Sequence, residues 1–183
     1  MLGDLHGMCM SAGVFFDTVG GQYQQALGMH EFGLVCVLAL EGHDSLDVAK
    51  TRESMAIIYD EQGHYDQALE IYKSVLETKI RVCGHEHLDV AKTRENMAII
   101  YDQQGHYDQA FEVYKSVLET KIRVCGHEHP DVAGTYQNIG IVYHKKGDRS
   151  AATEMYTKAY HIFLTVLGPD NPQTQGLKPF VNE

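Results

Sequence analysis

The chain has 183 residues, of which 44% are hydrophobic, and a formal net charge of −10. A chain of this length and apolar content can bury a core, so intrinsic disorder is not expected. The acidic balance argues against nucleic acid and anionic membranes as partners, because both bind basic surfaces. No apolar run reaches the roughly 18 residues of a membrane-spanning helix, and the N-terminal residues lack the positive charge of a secretory signal. The four cysteines are ordinary usage for a reducing compartment, so we expect a cytoplasmic protein.

The main feature of the sequence is an internal repeat with a period of 42 residues. Residues 42–83 and 84–125 differ at only six positions, and residues 126–167 form a third, more divergent copy. Residues 1–41 hold a degenerate copy, and residues 168–183 resemble the beginning of a further one. We therefore expect a single array over residues 1–183, with no room for a separate domain.

Each full copy contains two predicted helices. In the first full copy, apolar residues at helical spacing predict helices over about residues 46–62 and 65–83. Gly63, Gly105 and Gly147 are expected to end the first helices, because glycine adopts the left-handed conformation of a helix C-terminus at little cost. Neither helix can bury its apolar stripe alone, so stacked copies must share a continuous core.

Several landmarks that recur in register resemble the tetratricopeptide repeat. The landmarks are Met55-Ala56-x-x-Tyr59, Gly63 and Ala68-x-x-x-Tyr72, and in the third copy Ile139-Gly140-x-x-Tyr143, Gly147 and Ala152-x-x-x-Tyr156. The period and the linker Gly-His-Glu-His-Pro-Asp-Val-Ala at residues 126–133 are similar to those of the kinesin-light-chain subgroup. The resemblance implies an all-α fold, a right-handed α-solenoid (superhelix) of about four helix-turn-helix tetratricopeptide repeats. Its first helices would line a concave groove for a peptide segment of a partner protein.

The groove positions of the family, carried over residue by residue, fall on the predicted first helices. They are Lys50, Glu53, Ser54, Ile57 and Asp60 in the first full copy, Lys92, Glu95, Asn96, Ile99 and Asp102 in the second, Gly134, Gln137, Asn138, Ile141 and His144 in the third, and Met10, Ser11, Val14 and Asp17 in the degenerate copy. Acidic residues outnumber basic ones in this set, and three isoleucines run between them. The resemblance therefore favours a partner segment with basic and apolar residues, recognised by backbone contacts and a hydrophobic strip.

Two departures from the family pattern bear on that groove. Arg52 and Arg94 stand where the subgroup has an apolar residue, so we expect each to pair with an acidic side chain or to reach solvent. Glu53 and Glu95 stand where chaperone-type grooves bind a terminal carboxylate, and a glutamate would repel that group. Acidic chaperone tails are therefore not expected to bind.

The sequence carries no arrangement typical of catalysis, neither a nucleophile with a base nor a phosphate-binding loop. We expect no enzyme, no cofactor and no metal. Two His-x-His pairs, at residues 85–87 and 127–129, lie in linkers between copies, where exposure to solvent or helix capping explains them better than zinc binding. Cys83 and Cys125 recur at a position that Leu167 fills in the third copy, which favours a core position over a disulfide.

These observations predict a non-catalytic adaptor or scaffold whose groove binds a peptide segment. Two alternatives remain open: self-assembly of the near-identical copies between molecules, and the repeat portion of a larger enzyme or signalling receptor. The many glycines of the degenerate copy also predict fraying over residues 1–20, because glycine is unfavourable inside a helix.

Overall fold

The computed structural model describes residues 23–41 and 45–181. In these residues the chain forms eight helices and no strand, which confirms the predicted all-α class. The helices are α1 (Tyr23–Glu41), α2 (Leu46–Glu61), α3 (Tyr65–Cys83), α4 (Leu88–Gln103), α5 (Tyr107–Cys125), α6 (Pro130–Lys145), α7 (Arg149–Leu167) and α8 (Pro172–Val181). The groove positions of the degenerate copy and the predicted fraying over residues 1–20 lie outside the described residues.

The described helices group into two compact units. The first, up to His85, holds α1 to α3, and the second, from Glu86 onwards, holds α4 to α8. Within each unit, every helix packs against the next one along the chain. The second helix of one copy thus contacts the first helix of the following copy, as α5 does with α6 and α7 with α8. This order of neighbours is that of a helical repeat array.

The ends of the helices follow from local chemistry. α2 ends one residue before the predicted boundary, and α3 covers the predicted residues 65–83. Gly63, Gly105 and Gly147 follow the first helices with φ of +77°, +78° and +84°, a conformation that other residues adopt only with strain. The predicted ends of the first helices are therefore confirmed.

Histidines from the linkers begin two of the first helices. The Nδ1 atom of His87 accepts a hydrogen bond from the backbone N–H of Asp89 at 3.2 Å, and His129 accepts one from Asp131 at 3.1 Å. Ser45 does the same for the N–H of Val48 in α2. These side chains occupy backbone donors that the first turn of a helix leaves free. The predicted capping role is confirmed for the second histidine of each pair.

Tyrosines packed against small residues form much of the core of the second unit. Tyr114 is buried with Ala98 in one cluster, and Tyr156 is buried in another, next to Gly140. Helix α8 contributes the buried Leu177 to the second cluster, and the ring of Phe180 lies 5.0 Å from that of Tyr156. The tail therefore completes the core of the third copy, as the first helix of a further copy would.

Three side chains differ from what their positions predict. Cys83 and Cys125 are free thiols at the last residues of α3 and α5, and both are half-buried instead of lying in the core. Arg52 has no carboxylate partner among the described residues: it is half-buried and donates a hydrogen bond to the hydroxyl of Ser74 at 3.2 Å. The hydroxyl compensates the guanidinium only in part, because it carries no charge.

Candidate peptide-binding site

Helices α4 and α6, the first helices of two successive copies, contact each other directly in the second unit. Each buries one side in the core and leaves Asn96 and Ile99 of α4, and Asn138 and Ile141 of α6, half-exposed. We call the surface that carries these four residues the first-helix face. It alternates amide and aliphatic side chains, as a surface that contacts an extended peptide requires.

The groove residues predicted from the sequence differ in accessibility. The exposed ones are Lys50, Ile57, Lys92 and His144; the half-exposed ones are Glu53, Ser54, Asp60, Glu95, Asn96, Ile99, Gly134, Gln137, Asn138 and Ile141; the buried one is Asp102. Those of α4 and α6 lie in the second unit, where the two helices bring them together. Those of α2 lie in the first unit.

A buried lysine from the second helix of the same copy neutralises Glu95. The Nζ atom of Lys121, on α5, lies 2.6 Å from Oε2 of Glu95, and only 7% of the lysine side chain is exposed. The same ammonium group donates to the hydroxyl of Thr135 at 2.9 Å and to the carbonyl of Asp131 at 3.3 Å. All three donors of the ammonium group are used, so burial of this charge is compensated.

The other oxygen of Glu95 joins α4 to α6. Thr135 donates its hydroxyl hydrogen to Oε1 of Glu95 at 2.9 Å, and the amide of Asn138 approaches the same oxygen at 3.5 Å. A carboxylate only accepts hydrogen bonds, so the Asn138 amide turns its nitrogen towards Glu95. Its carbonyl oxygen is then left to accept a hydrogen bond on the first-helix face.

The first unit contains the same ion pair. Lys79 of α3 lies 2.7 Å from Glu53 of α2, and 5% of the lysine side chain is exposed. The two glutamates that made the predicted groove acidic, Glu53 and Glu95, are thus both neutralised by buried lysines of the second helices. We expected acidic chaperone tails not to bind because these glutamates would repel a carboxylate. Since each glutamate is paired with a lysine, that argument no longer supports the expectation.

Asp102 forms a different kind of pair. Its Oδ2 atom lies 2.6 Å from Nζ of Lys145, the last residue of α6, whose side chain is 39% exposed. The other oxygen, Oδ1, is buried and has no hydrogen-bond partner among the described residues. Burial and the nearby Asp102 and Glu95 raise the pKa of the Tyr114 phenol, so this ring stays neutral at physiological pH.

Asp60 repeats this feature in the first unit. It is half-buried, and its Oδ1 atom also has no partner within the described part of the chain. Desolvation by burial, and next the neighbouring Glu61, raise the pKa of the Asp60 carboxyl. A buried carboxylate oxygen without a donor is uncommon in folded proteins, and here it occurs at the same position of two copies.

Sequence reasoning missed the lysines that decide the charge of this site. Lys79 and Lys121 belong to the second helices, where the sequence analysis placed no groove residue. The sequence does carry a signal for the pairing: the third copy replaces both members, with Gln137 at the glutamate position and Phe163 at the lysine position. Two residues that change together between copies of one repeat are candidates for contact.

The described residues show no group of three or more histidine, cysteine, aspartate or glutamate side chains that could hold a metal ion. None of the helices among them combines the length and apolar content that crossing a bilayer requires.

Three segments of the chain, residues 19–81, 90–131 and 132–173, match family models of the tetratricopeptide repeat. Because these segments make up most of the sequence, the chain belongs to the tetratricopeptide repeat family. Repeats of this family are protein-interaction modules, and the predicted family is confirmed. No curated protein sequence matches the chain.

Solved structures share the fold. The structure of BtubC (BKLC) from P. vanneervenii has a TM-score of 0.77 and 25% identity over 88% of this chain and 64% of its own. A structure of nearly identical TPR-like repeats of a candidate kinesin light chain from P. anserina has a TM-score of 0.75 and 17% identity, over 98% of this chain and 82% of its own. The structure of the apo form of RapI has a TM-score of 0.78 and 15% identity, over 96% of this chain and 61% of its own. The chain thus spans less than two thirds of BtubC and of RapI, and the matches confirm an all-α repeat solenoid with kinesin-light-chain-like relatives.

Proposed function

We propose that this protein is a non-catalytic adaptor or scaffold that binds a peptide segment of a partner protein along the first helices of its repeats, in the cytoplasm. The observation that supports this most is the first-helix face. Asn96, Ile99, Asn138 and Ile141 form a half-exposed band of amide and aliphatic side chains in front of a well-packed core.

The polarity of the band suggests how the peptide is held. The amide nitrogen of Asn138 contacts Glu95, and its carbonyl oxygen accepts a backbone N–H of the peptide. Ile99 and Ile141 contact its apolar side chains. The partner segment therefore combines apolar residues with basic ones, and a basic residue meets the carboxylate of Asp102.

The experiment is a selection of random twelve-residue peptides displayed on phage, followed by titration of the selected peptides against variants. Asn96→Ala combined with Asn138→Ala removes two hydrogen-bonding groups from the face. We expect the affinity to fall roughly tenfold to a hundredfold, since each bond contributes about 1 kcal/mol. The free energy of unfolding should fall by no more than about 1 kcal/mol, the contribution of the long Asn138–Glu95 contact.

The matched control is Gln67→Ala combined with Gln109→Ala. These exposed amides occupy one position of α3 and α5, on the second helices. Their loss should leave peptide affinity as in the wild type. Equal affinity for the two double variants would contradict the proposed face, and a library that yields no peptide would contradict peptide binding itself.

A further inference from the structure

The acidic residues of the first helices are not equally available to a partner. In Glu95, one carboxylate oxygen accepts from Lys121 and the other from Thr135 and Asn138. Lys121 is almost fully buried and cannot leave without stranding its own charge in the core. A basic side chain of a partner therefore meets a carboxylate whose two oxygens are both already hydrogen-bonded and whose charge is already paired.

Asp102 is the opposite case. Its partner Lys145 ends α6, and more than a third of that side chain is exposed, so releasing it into water costs little. Lys145 satisfies Oδ2 alone, while Oδ1 is buried and has no donor among the described residues. The lysine thus leaves the carboxylate half-satisfied, although Asp102 as a residue is only 9% exposed.

An arginine has the geometry that this carboxylate lacks. The planar guanidinium offers two parallel N–H donors that meet both oxygens of a carboxylate, whereas an ammonium group acts as a single point charge. Ile99 lies one turn before Asp102 on α4 and is half-exposed, so it can contact the methylene groups of an arginine side chain.

We infer that Asp102 binds an arginine of the partner segment, which displaces Lys145, thereby uncovers the buried Oδ1 atom, and donates to both carboxylate oxygens. This inference rests on the proposed peptide-binding function and specifies its charged contact. Lys145 holds the cation position in the free protein and competes with the partner for it.

Asp60 provides a second instance of the same site in the first unit. In the part of the chain that the structure describes, its Oδ1 atom also lacks a donor, and Ile57, one turn earlier on α2, is 40% exposed. The third copy has His144 at this position, which cannot accept a guanidinium in the same way. Two of the full copies therefore carry an arginine site and the third does not.

The test uses the peptides selected from the phage library against the full-length protein. Arginine should be enriched at one or two fixed positions of the selected sequences. Synthetic versions of one such peptide replace this arginine. The lysine version should bind about tenfold more weakly, because the two parallel N–H donors are lost, and the version with uncharged citrulline about a hundredfold more weakly, because the charge is lost.

Variants of the protein assign the effect to Asp102. In a variant that carries both isosteric changes, Asp60→Asn and Asp102→Asn, the arginine and lysine peptides should bind within about twofold of each other, and Asp102→Asn alone should reduce the preference for arginine. The matched control Asp108→Asn removes an exposed carboxylate that pairs with Lys146 on the second-helix side, and it should keep the wild-type preference.

Lys145→Arg tests the competition directly. An internal guanidinium keeps the charge and can satisfy both oxygens of Asp102, so the variant should fold and should bind the arginine peptide several-fold more weakly. Unchanged affinity in Lys145→Arg, or an undiminished arginine preference in Asp102→Asn, would overturn the inference. Selected peptides without arginine would do the same while leaving peptide binding intact, whereas a library that yields no peptide would defeat the proposed function as well.

Discussion

In the second copy of the repeat, residues 84–125, a glutamate on the first helix and a lysine on the second are buried together as Glu95 and Lys121. In the third copy, residues 126–167, the same positions hold Gln137 and Phe163, and the phenylalanine is fully buried. Both copies form two helices of the same lengths with the same bounds relative to the repeat. The ion pair is therefore not needed to make the fold, in keeping with the finding that apolar residues replace buried ion pairs without loss.

The difference lies in what each copy does for its neighbour. The carboxylate of Glu95 reaches the following first helix through Thr135 and Asn138, so the pair positions two polar groups of α6. The third copy is followed by the short helix α8, which it covers with apolar and aromatic contacts from Tyr156 and Phe163. Polar contacts thus link the second copy to the next one, where the first-helix face continues. Apolar contacts link the third copy to the last described helix.

The largest effect is expected from breaking the pair on one side only. Lys121→Met leaves Glu95 buried without its cation, and we expect a loss of about 3 kcal/mol in the free energy of unfolding. Lys121→Phe combined with Glu95→Gln installs the residues of the third copy and should restore stability to within about 1 kcal/mol of the wild type. Urea unfolding followed by circular dichroism measures both.

Lys115→Met is the control for this comparison, because Lys115 is exposed on the same helix. It should change stability by no more than about 0.5 kcal/mol. If the double variant is as unstable as Lys121→Met, the second copy depends on its ion pair in a way that the third copy does not reveal.

A smaller effect is expected where the two copies differ by a methyl group. A Cβ atom on Gly140 would lie 2.6 Å from Cε1 of Tyr156, whereas the second copy accommodates Ala98 beside Tyr114. Gly140→Ala should therefore cost about 1–3 kcal/mol, because the tyrosine ring must move. The measurement is the urea midpoint at constant slope.

Gly134→Ala is the matched control on the same helix. Nothing lies within 4 Å of a Cβ atom at Gly134, so only helix propensity changes. This variant should gain about 0.5–1 kcal/mol. A gain at both positions would show that Tyr156 yields easily and that the glycine is not required for packing.

The smallest effect concerns a surface contact that only the third copy has. The ammonium group of Lys158 lies 5.7 Å from the centre of the Tyr136 ring and 2.6 Å from a carboxylate oxygen of Glu154. Lys158→Ser, which installs the residue of the second copy, should cost about 0.5 kcal/mol, because the contact is exposed. The reciprocal Ser116→Lys should gain nothing, since Arg94 stands where Tyr136 does. The unfolding temperatures of the two variants, measured at low salt, test both predictions.

Much of the fold could be predicted because its determinants are local. The helical spacing of apolar residues predicted the bounds of α2 and α3 to within one residue. A glycine with a left-handed backbone conformation, such as Gly63, marks the end of a helix because glycine adopts that conformation at little cost. Most residues of the candidate face could also be placed on the correct helices, since the period of 42 aligns them.

The charge of the face could not be predicted in the same way. Lys79 and Lys121 lie 26 residues after the glutamates that they neutralise, on a different helix. A lysine on a helix is ordinarily solvated, so only packing of that helix against its neighbour reveals that the ammonium group is buried. The same holds for Asp102, whose unpartnered oxygen depends on how α4 and α6 meet.

The amino-acid sequence by itself determined the helices, their ends, the repeat and the family, because each depends on residues within one or two turns or on comparison of copies. The tertiary structure alone decided which carboxylates are neutralised and which remain able to receive a cation. The physical reason is that a charge interacts through space with whatever packing brings near it, and burial strengthens that interaction.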